Sequence, residues 1–276
     1  MKMKRFKSIE IKIGTFLCSI YIVWGIVYIL NYYLSGFVPE VNIKKELLNP
    51  FEDGYFLGTD IYGRSLMGML SAGVIHSLIF AIVTASASAV IGVCAGGIMA
   101  LAQSKIATIV EGIANSIYIF PTVLIAIMIM SLWEGGIVTL WVTLVSVGWP
   151  GYARIARGEF LRIKNMPYVE SARAIGIGPF QLFFKTMLPA VMPVIIVQLV
   201  LGLSGVIMSE STLGFLGLGT SEYSWGELLS MAKDVILEAP HIVVLTSLTM
   251  AGIILGLNLL GDGLRDILDP RSTGAK

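Results

Sequence analysis

The chain has 276 residues, of which 56% are hydrophobic and 13% are charged. A soluble domain carries about 25% charged residues, so this composition excludes an ordinary water-soluble protein and indicates an integral membrane protein. The net charge of +1 leaves no basic domain for nucleic acid, and Cys18 and Cys94 lie in apolar stretches, where they are typical of core residues rather than of a disulfide or metal pair.

The N-terminal tail, residues 1–12, is basic and precedes the first apolar stretch. That stretch, residues 13–39, is longer than the roughly 7–15 residues of a signal-peptide core. It therefore predicts a retained first transmembrane helix over residues 13–36, with the tail in the cytoplasm.

An external loop and interfacial segment is predicted over residues 37–77. The uncharged window 65–104 is just long enough for two short helices. Its first part, from Ser65 to Ser77, is rich in Gly and Ser, which favours an approach along the membrane surface and a single span from Leu78 to Leu101.

Residues 78–262 are predicted to form a core that holds the remaining five spans. A span needs about 20 apolar residues to cross a hydrocarbon layer of roughly 30 Å, and four further uncharged windows approach that length: residues 112–133, 135–153, 186–209 and 239–261. The predicted fold class is all-α, a polytopic membrane protein with six transmembrane helices. Within this core, a cytoplasmic loop is predicted over 153–185 and an external loop over 209–238. A cytoplasmic C-terminal tail, residues 263–276, follows the core.

The distribution of charge predicts the orientation. With six spans, 15 of the 19 Lys and Arg residues lie on the side of the two termini, and 11 of the 18 acidic residues lie on the opposite side. Because basic residues stay in the cytoplasm in short loops, both termini are expected to be cytoplasmic.

The cytoplasmic loop 153–185 is patterned as well as basic. Pro167 suits the first turn of a helix, and Gly176 suits the turn that ends one. A short helix is therefore predicted along the inner membrane surface. Helical spacing places three residues on one face: Tyr168, Ala172 and Ile175.

Within this loop the sequence resembles a known family. Glu170-Ser171-Ala172, three residues, Gly176, nine residues and Thr186-Met187-Leu188-Pro189 resemble the EAA loop of ABC-importer permeases. The family form is E-A-A, three residues, G, nine residues, I, any residue and L-P, so Ser171 and Thr186 depart from it.

Three other segments are similar to the C-type permeases of dipeptide, oligopeptide and nickel importers. They are Leu57-Gly58-Thr59-Asp60-Ile61-Tyr62-Gly63-Arg64, the stretch from Ser209 to Gly219 with Ser224-Trp225-Gly226, and the stretch from Gly261 to Arg271. One departure is the short Thr220–Tyr223 segment, where that group often has a proline-rich run.

The resemblance implies a type I ABC-importer permease fold and a non-catalytic subunit without a nucleotide site. ATP and Mg would be held by two partner ATP-binding subunits, and a second, paralogous permease subunit and an extracytoplasmic substrate-binding protein would complete the assembly in the inner membrane. The residues expected to couple to the ATPases are Tyr168, Glu170, Ser171, Ala172, Arg173, Gly176, Leu188 and Pro189.

The resemblance also implies roles on the outer side. An external gate or binding-protein docking site is expected at Glu210, Phe215, Leu216, Gly217, Gly219 and Trp225, with Trp225 near the membrane interface. A family motif of unknown role comprises Gly58, Thr59, Asp60, Gly63 and Arg64. No catalytic or metal-binding residue is expected.

Some features leave alternatives open. Polar residues at span depth, among them Ser88, Thr122 and Gln198, are compatible with lining a pore or with bonding between helices, and the Gly92–Gly96 and Gly252–Gly256 spacings allow close helix packing. The substrate is expected to be a peptide. Nickel or a metal–chelator complex carried by the same machine is one alternative, and a secondary transporter or channel without an ATPase is another.

Overall fold

The computed structural model describes residues 2–36, 39–102, 105–133, 135–219, 221 and 223–268. These residues are mostly helical, and within them the only β-pairing is two isolated bridges in the loop before the second helix. The helices are α1 (Lys2–Ser35), α2 (Leu66–Leu101), α3 (Lys105–Ile119), α4 (Thr122–Leu132), α5 (Ile137–Ile163), α6 (Pro167–Ala174), α7 (Pro179–Leu182), α8 (Leu188–Leu213), α9 (Trp225–Ala232) and α10 (Pro240–Leu268). Short π-helical turns follow α7 (Phe183–Met187) and α8 (Gly214–Leu218), and 3-10 turns lie at Ile43–Lys45 and Lys233–Val235.

Four described helical segments are long and apolar enough to cross a membrane, namely Ile9–Leu34, Leu66–Leu101, Pro179–Leu218 and Pro240–Leu268. A fifth is gained if the bent pair α3 and α4 counts as one span. The all-α membrane fold predicted from the sequence is confirmed, whereas the count of six spans stays a prediction.

The start of α2 differs from the expected boundary between an interfacial segment over 37–77 and a core beginning at residue 78. The helix begins at Leu66, capped by the Ser65 side chain, and runs unbroken to Leu101. The small residues in its first turns are packing positions, because Gly73 lies directly under Trp225 and Ser71 accepts a hydrogen bond of 2.6 Å from Trp24 Nε1.

The third predicted span, residues 112–133, is broken. α3 and α4 meet at an angle of 97°, and each is too short to cross the bilayer alone. The break falls at Pro121, which caps α4. Proline has no N–H for the preceding turn and disfavours helical dihedrals in the residue before it.

Glycines bring the helices together. At Gly92 and Gly96 of α2 an added Cβ would lie 2.5 Å from Tyr152 Cβ and 2.6 Å from the Ala153 carbonyl oxygen of α5. Gly256 of α10 is packed against Leu17 of α1 in the same way. The close packing predicted from the two glycine pairs is confirmed, since Gly252 also abuts a side chain of α1, that of Tyr21.

The core is divided between the two ends of the molecule. One buried apolar cluster joins the first half of α2 to α1, α8, α9 and α10, and we call this the α9 end. A second cluster joins the last turns of α2 and α5 to α6, α7 and the start of α8, and we call this the α6 end. A smaller third cluster holds α4 against α2, α5 and α8.

Candidate functional site

The short helix α6 begins and ends where the sequence predicts. Pro167 occupies its first turn, and Gly176 follows it with φ +84°. The Gly176 N–H donates to the Arg173 carbonyl (3.0 Å) and the Ile177 N–H to the Ala172 carbonyl (3.2 Å), which is the Schellman arrangement that closes helices at a left-handed glycine.

The buried face of α6 is only partly the face that helical spacing singles out in the sequence. Val169 and Ala172 are 0% and 7% exposed, whereas Tyr168 and Ile175 are 44% and 78% exposed. Of the three residues that helical spacing places on one face, Tyr168, Ala172 and Ile175, only Ala172 is buried. Positions three apart, 169 and 172, form the buried stripe of this two-turn helix.

Through that stripe α6 is anchored to two long helices at once. Val169 and Ala172 belong to one buried cluster with Phe160 of α5 and with Met187 and Val191 at the beginning of α8. Leu188, a predicted coupling residue, packs against the same cluster, and Pro189 lies exposed in the first turn of α8. α6 thus shares one close-packed apolar cluster with both α5 and α8.

The opposite side of α6 is open. Glu170, Ser171 and Arg173 are exposed, and neither Glu170 nor Arg173 forms an ion pair with any other described residue. Beside these charges stand the apolar side chains of Tyr168 and Ile175. An exposed surface that mixes large apolar groups with unpaired charges is typical of a protein contact.

A central cleft of about 230 Å³ lies between α2, α4, α5 and α8. Three of the polar residues singled out in the sequence, Ser88, Thr122 and Gln198, line it. The described lining is uncharged and rich in glycine, which contributes Gly148, Gly151, Gly202 and Gly205.

Two hydroxyl groups in the walls of this cleft lack a partner. Ser88 Oγ and Tyr152 Oη are buried without a hydrogen bond to any described residue. Tyr152 Oη lies against Gly202, and Ser88 Oγ lies against Gly148. Sequence reasoning missed Tyr152, since a tyrosine in an apolar helix has no local signal that separates it from a packing residue.

A second, larger cleft of about 690 Å³ opens toward the α6 end. It shares Gln198 with the central cleft, and its rim is polar. Three arginines and one glutamate contribute to it: Arg154, Arg162, Arg265 and Glu159. Both clefts lie along α5 and α8, and they share Gln198 in their linings.

At the α9 end, Glu210 is a buried carboxylate in the last turn of α8, 2% exposed. Its Oε2 accepts hydrogen bonds from Ser77 Oγ of α2 (3.1 Å) and Ser211 Oγ (3.4 Å), and the Ser224 hydroxyl lies near the carboxylate. Ser224 in turn caps α9 by accepting from the Glu227 N–H (3.2 Å). Glu210 therefore joins α2 to α8, close to the first turn of α9.

The six residues expected at an external gate or docking site differ in burial: two are buried, three are exposed and Gly219 is half-buried. Glu210 and Trp225 are buried, and Trp225 Nε1 donates to the Leu70 carbonyl (3.3 Å), so Trp225 packs between helices, while its position near the membrane interface stays a prediction. Phe215, Leu216 and Gly217 are exposed, and Gly217 has φ +79° where the π-helical turn bends. Gly219 closes the turn against Glu227.

The motif of unknown role shapes the loop over residues 42–65, which we call the 42–65 loop. Asp60 and Arg64 form a buried ion pair, with Oδ2 and Nε 2.7 Å apart and side chains 1% and 3% exposed. Asp60 Oδ1 also accepts from the Tyr62 and Arg64 N–H groups, both at 2.9 Å. Thr59 Oγ1 donates to the Lys45 carbonyl (2.5 Å) and accepts from the Leu48 N–H (2.9 Å).

Two motif glycines close this loop. Gly58 (φ +81°) and Gly63 (φ +68°) adopt left-handed dihedrals, and a Cβ on either would collide with a carbonyl oxygen, that of Leu48 or Asn42. These five residues thus have a structural role, which is to fix the loop over α9 and the start of α10.

Comparison with known proteins agrees with this architecture. Residues 92–274 match the family model described as the inner membrane component of binding-protein-dependent transport systems.

Several curated relatives match over most of their length. The dipeptide transport system permease protein DppC of Bacillus subtilis is 36% identical, over 85% of this chain and 74% of the relative. The di/tripeptide permease protein DppC of Pseudomonas aeruginosa is 31% identical, over 88% and 83%. The glutathione permease protein GsiD of Pectobacterium atrosepticum is 31% identical, over 87% and 80%.

Among solved structures, the fold is similar to a chain of the MetNI methionine ABC transporter in an inward facing conformation. The TM-score is 0.61 at 19% identity, and the match covers 74% of this chain and 97% of the other. A second crystal form of that transporter gives 0.59 at 20% identity.

Proposed function

Because this chain belongs to the family of inner membrane components of binding-protein-dependent transport systems, we propose that it forms one half of the translocation pathway of an ATP-driven peptide importer. In this proposal a second, paralogous permease supplies the other half. Two ATP-binding subunits dock on the cytoplasmic side, and an extracytoplasmic binding protein delivers the peptide. The α6 end faces the cytoplasm together with both termini, and the α9 end faces outward.

The observation that carries the proposal is the anchoring of α6. Its buried stripe joins α5 to α8, and its other side presents Glu170 and Arg173 without an ion pair among the described residues. If an ATPase subunit binds this side of α6, closure of the two ATPase subunits upon ATP binding would move α5 and α8 together. Those two helices line both clefts, so nucleotide-driven motion would change access to the clefts.

The energy source lies on other subunits in this proposal. The sequence has no G-K-[S/T] triplet, the part of a P-loop that cradles phosphates. ATP and Mg are therefore assigned to the ATPases, and this chain contributes binding surface and mechanical coupling.

The proposed substrate is a short peptide. The curated relatives named above are permeases for dipeptides, tripeptides and glutathione, and the uncharged, glycine-rich cleft suits solutes whose common feature is the peptide backbone. Nickel, or a metal–chelator complex, remains the alternative cargo of the same machine.

The test is to separate coupling from assembly in the reconstituted transporter. We expect Glu170→Lys or Gly176→Asp to abolish peptide uptake and substrate-stimulated ATPase activity, while the protein level in the membrane stays at that of the wild type. Asp262→Lys is the matched control for Glu170→Lys, because Asp262 is also exposed but lies near the end of α10; it should retain uptake. Normal uptake by both α6 variants would refute the coupling role.

A further inference from the structure

The tip of the 42–65 loop carries an exposed aromatic pair that no role described so far requires. Phe51 and Phe56 are 75% and 63% exposed. Their rings stack edge to face with centroids 4.9 Å apart. Two large apolar groups held together on an aqueous loop are typical of a binding surface rather than of a connector.

The tip is an ordered turn. The Phe51 N–H donates to the Tyr55 carbonyl (2.9 Å) and the Tyr55 N–H to the Glu52 carbonyl (2.9 Å). Glu52 Oε2 accepts from the Asn49 N–H at 3.0 Å, and Asp53 pairs with Lys45 at 2.8 Å. Beneath it lies the scaffold formed by Asp60 and Arg64, so the pair is presented on a rigid support.

The backbone of Phe51 adopts a conformation that is unfavourable for a residue with a side chain. Phe51 has φ +68°, a conformation that costs an L-residue roughly 1–2 kcal/mol and that glycine adopts freely. Leu47 and Asp53 of the same loop also have positive φ, +54° and +47°, so the loop as a whole holds this conformation, and glycine at position 51 would keep it.

The charge around the pair favours a protein over a membrane surface as its partner. In the sequence, Glu52 and Asp53 lie between the two phenylalanines and both are exposed, Asp53 in an ion pair with Lys45. Residues 40–56 as a whole hold four acidic residues against two lysines. Anionic headgroups attract basic side chains and repel an acidic rim. A protein pocket that is apolar at its centre and basic at its edge matches both features.

From the stacked pair and its acidic surroundings we infer that Phe51 and Phe56 anchor the extracytoplasmic substrate-binding protein on the outer face of this subunit. The inference rests on the proposed function, which requires such a protein. It assigns docking to the 42–65 loop, in contrast to the buried Glu210 and Trp225. Small sets of buried aromatic anchors carry most of the affinity of protein interfaces.

The experiment uses the whole transporter in nanodiscs and, as the probe, the purified binding protein that restores peptide uptake to it. The test variant combines Phe51→Gly with Phe56→Ser, because glycine keeps the φ of residue 51. We expect the Kd for the binding protein to rise by at least about 30-fold, which corresponds to one hot spot of about 2 kcal/mol. Affinity of the wild type should also fall as salt is raised, because the rim contributes electrostatic attraction.

A matched control pair exists at the end of α1. Tyr32 and Tyr33 also stack edge to face, with centroids 5.4 Å apart, and are 47% and 79% exposed. Replacing both with serine should leave the Kd within about twofold, because that position is typical of a membrane-interface aromatic belt.

Three outcomes would overturn the inference. A Kd unchanged in the double variant would exclude the anchor. Loss of the second permease from the purified double variant would identify the pair as a contact between permeases. Quenching of a Phe51→Trp variant by brominated lipid, without protection by the binding protein, would identify it as a lipid contact.

Failure here is distinguishable from failure of the proposed function. Glu170→Lys should abolish uptake and leave the Kd for the binding protein at the wild-type value. The phenylalanine variants should instead regain uptake when the binding protein is supplied at high concentration.

Discussion

The two ends of the molecule both carry family motifs, and they use the motif residues in different ways. At the α6 end the motif carboxylate, Glu170, is exposed and Gly176 has open space around it. At the α9 end the motif carboxylate, Asp60, is 1% exposed, and a Cβ on Gly63 would overlap the Asn42 carbonyl. The first motif leaves its side chains available to a partner, whereas the second uses them to hold a loop in place.

This difference teaches that a motif shared by transport proteins does not by itself mark a binding surface. In the 42–65 loop the motif residues are the support, and the exposed groups are Phe51 and Phe56, which lie outside the motif. Substitutions that act on stability at one end and on activity at the other would test the comparison directly.

The largest effect is expected for Asp60→Ala. It leaves the Arg64 guanidinium buried, 3% exposed, without its carboxylate, and removal of one partner of a buried ion pair costs about 3–5 kcal/mol. The melting temperature of the detergent-solubilised protein should fall by on the order of 10 °C, as measured by fluorescence-detected size exclusion after heating.

The matched control is Glu159→Ala near the α6 end. Glu159 and Arg162 are also 2.7 Å apart, but Arg162 is 50% exposed. An exposed ion pair contributes about 0–1 kcal/mol, so this variant should melt close to the wild type. Equal melting temperatures for the two variants would show that the Asp60–Arg64 pair does not hold the loop.

A series of glycine substitutions compares the two ends of the molecule, and the expected losses of stability are intermediate in size. Gly63→Ala combines φ +68° with a collision against Asn42 and should destabilise by more than about 2 kcal/mol. Gly176→Ala faces φ +84° and open space, so its cost is the left-handed conformation alone, about 1–2 kcal/mol.

Gly178→Ala is the control for that series. Gly178 also has open space, but its φ is −63°, which alanine adopts without strain, so stability should be unchanged or slightly raised. Thermal melting ranks all three variants, and peptide uptake in the reconstituted transporter adds the functional readout. A Gly176→Ala variant with full stability and full uptake would contradict a structural need for glycine at the end of α6.

Features set by residues within one segment could be predicted from the sequence, whereas features set by contacts with distant residues could not. The start and end of α6 are set by Pro167 and Gly176 within the segment itself, and both were predicted. The sequence did not predict which face of α6 is buried, because that depends on where Phe160 and Met187 of other segments lie. The hydrophobic windows did not show the bend at Pro121, since a count of apolar residues ignores the missing N–H that breaks α3 from α4.

The start of α2 is a second case in which distant residues decide the environment of a segment. Gly73 and Ser71 suggested a polar, interfacial segment, but Trp225 and Trp24 of distant segments cover them. Small polar residues between helices have the same local signature as those at a membrane surface. Contacts across more than 40 residues of sequence decide between the two.

The smallest expected effect concerns two tyrosine hydroxyls and extends the comparison to the cleft. Tyr21 Oη at the α9 end donates to the Thr249 carbonyl at 2.7 Å, so Tyr21→Phe should cost about 1 kcal/mol. Tyr152 Oη has no partner among the described residues, and a buried hydroxyl without one is destabilising. Tyr152→Phe should therefore leave the melting temperature of the isolated chain unchanged or slightly raised. If Tyr152→Phe lowers it as much as Tyr21→Phe does, the hydroxyl is satisfied within the chain itself. A loss confined to the assembled, peptide-loaded transporter would instead show that the cleft presents this group to the second subunit or to the solute.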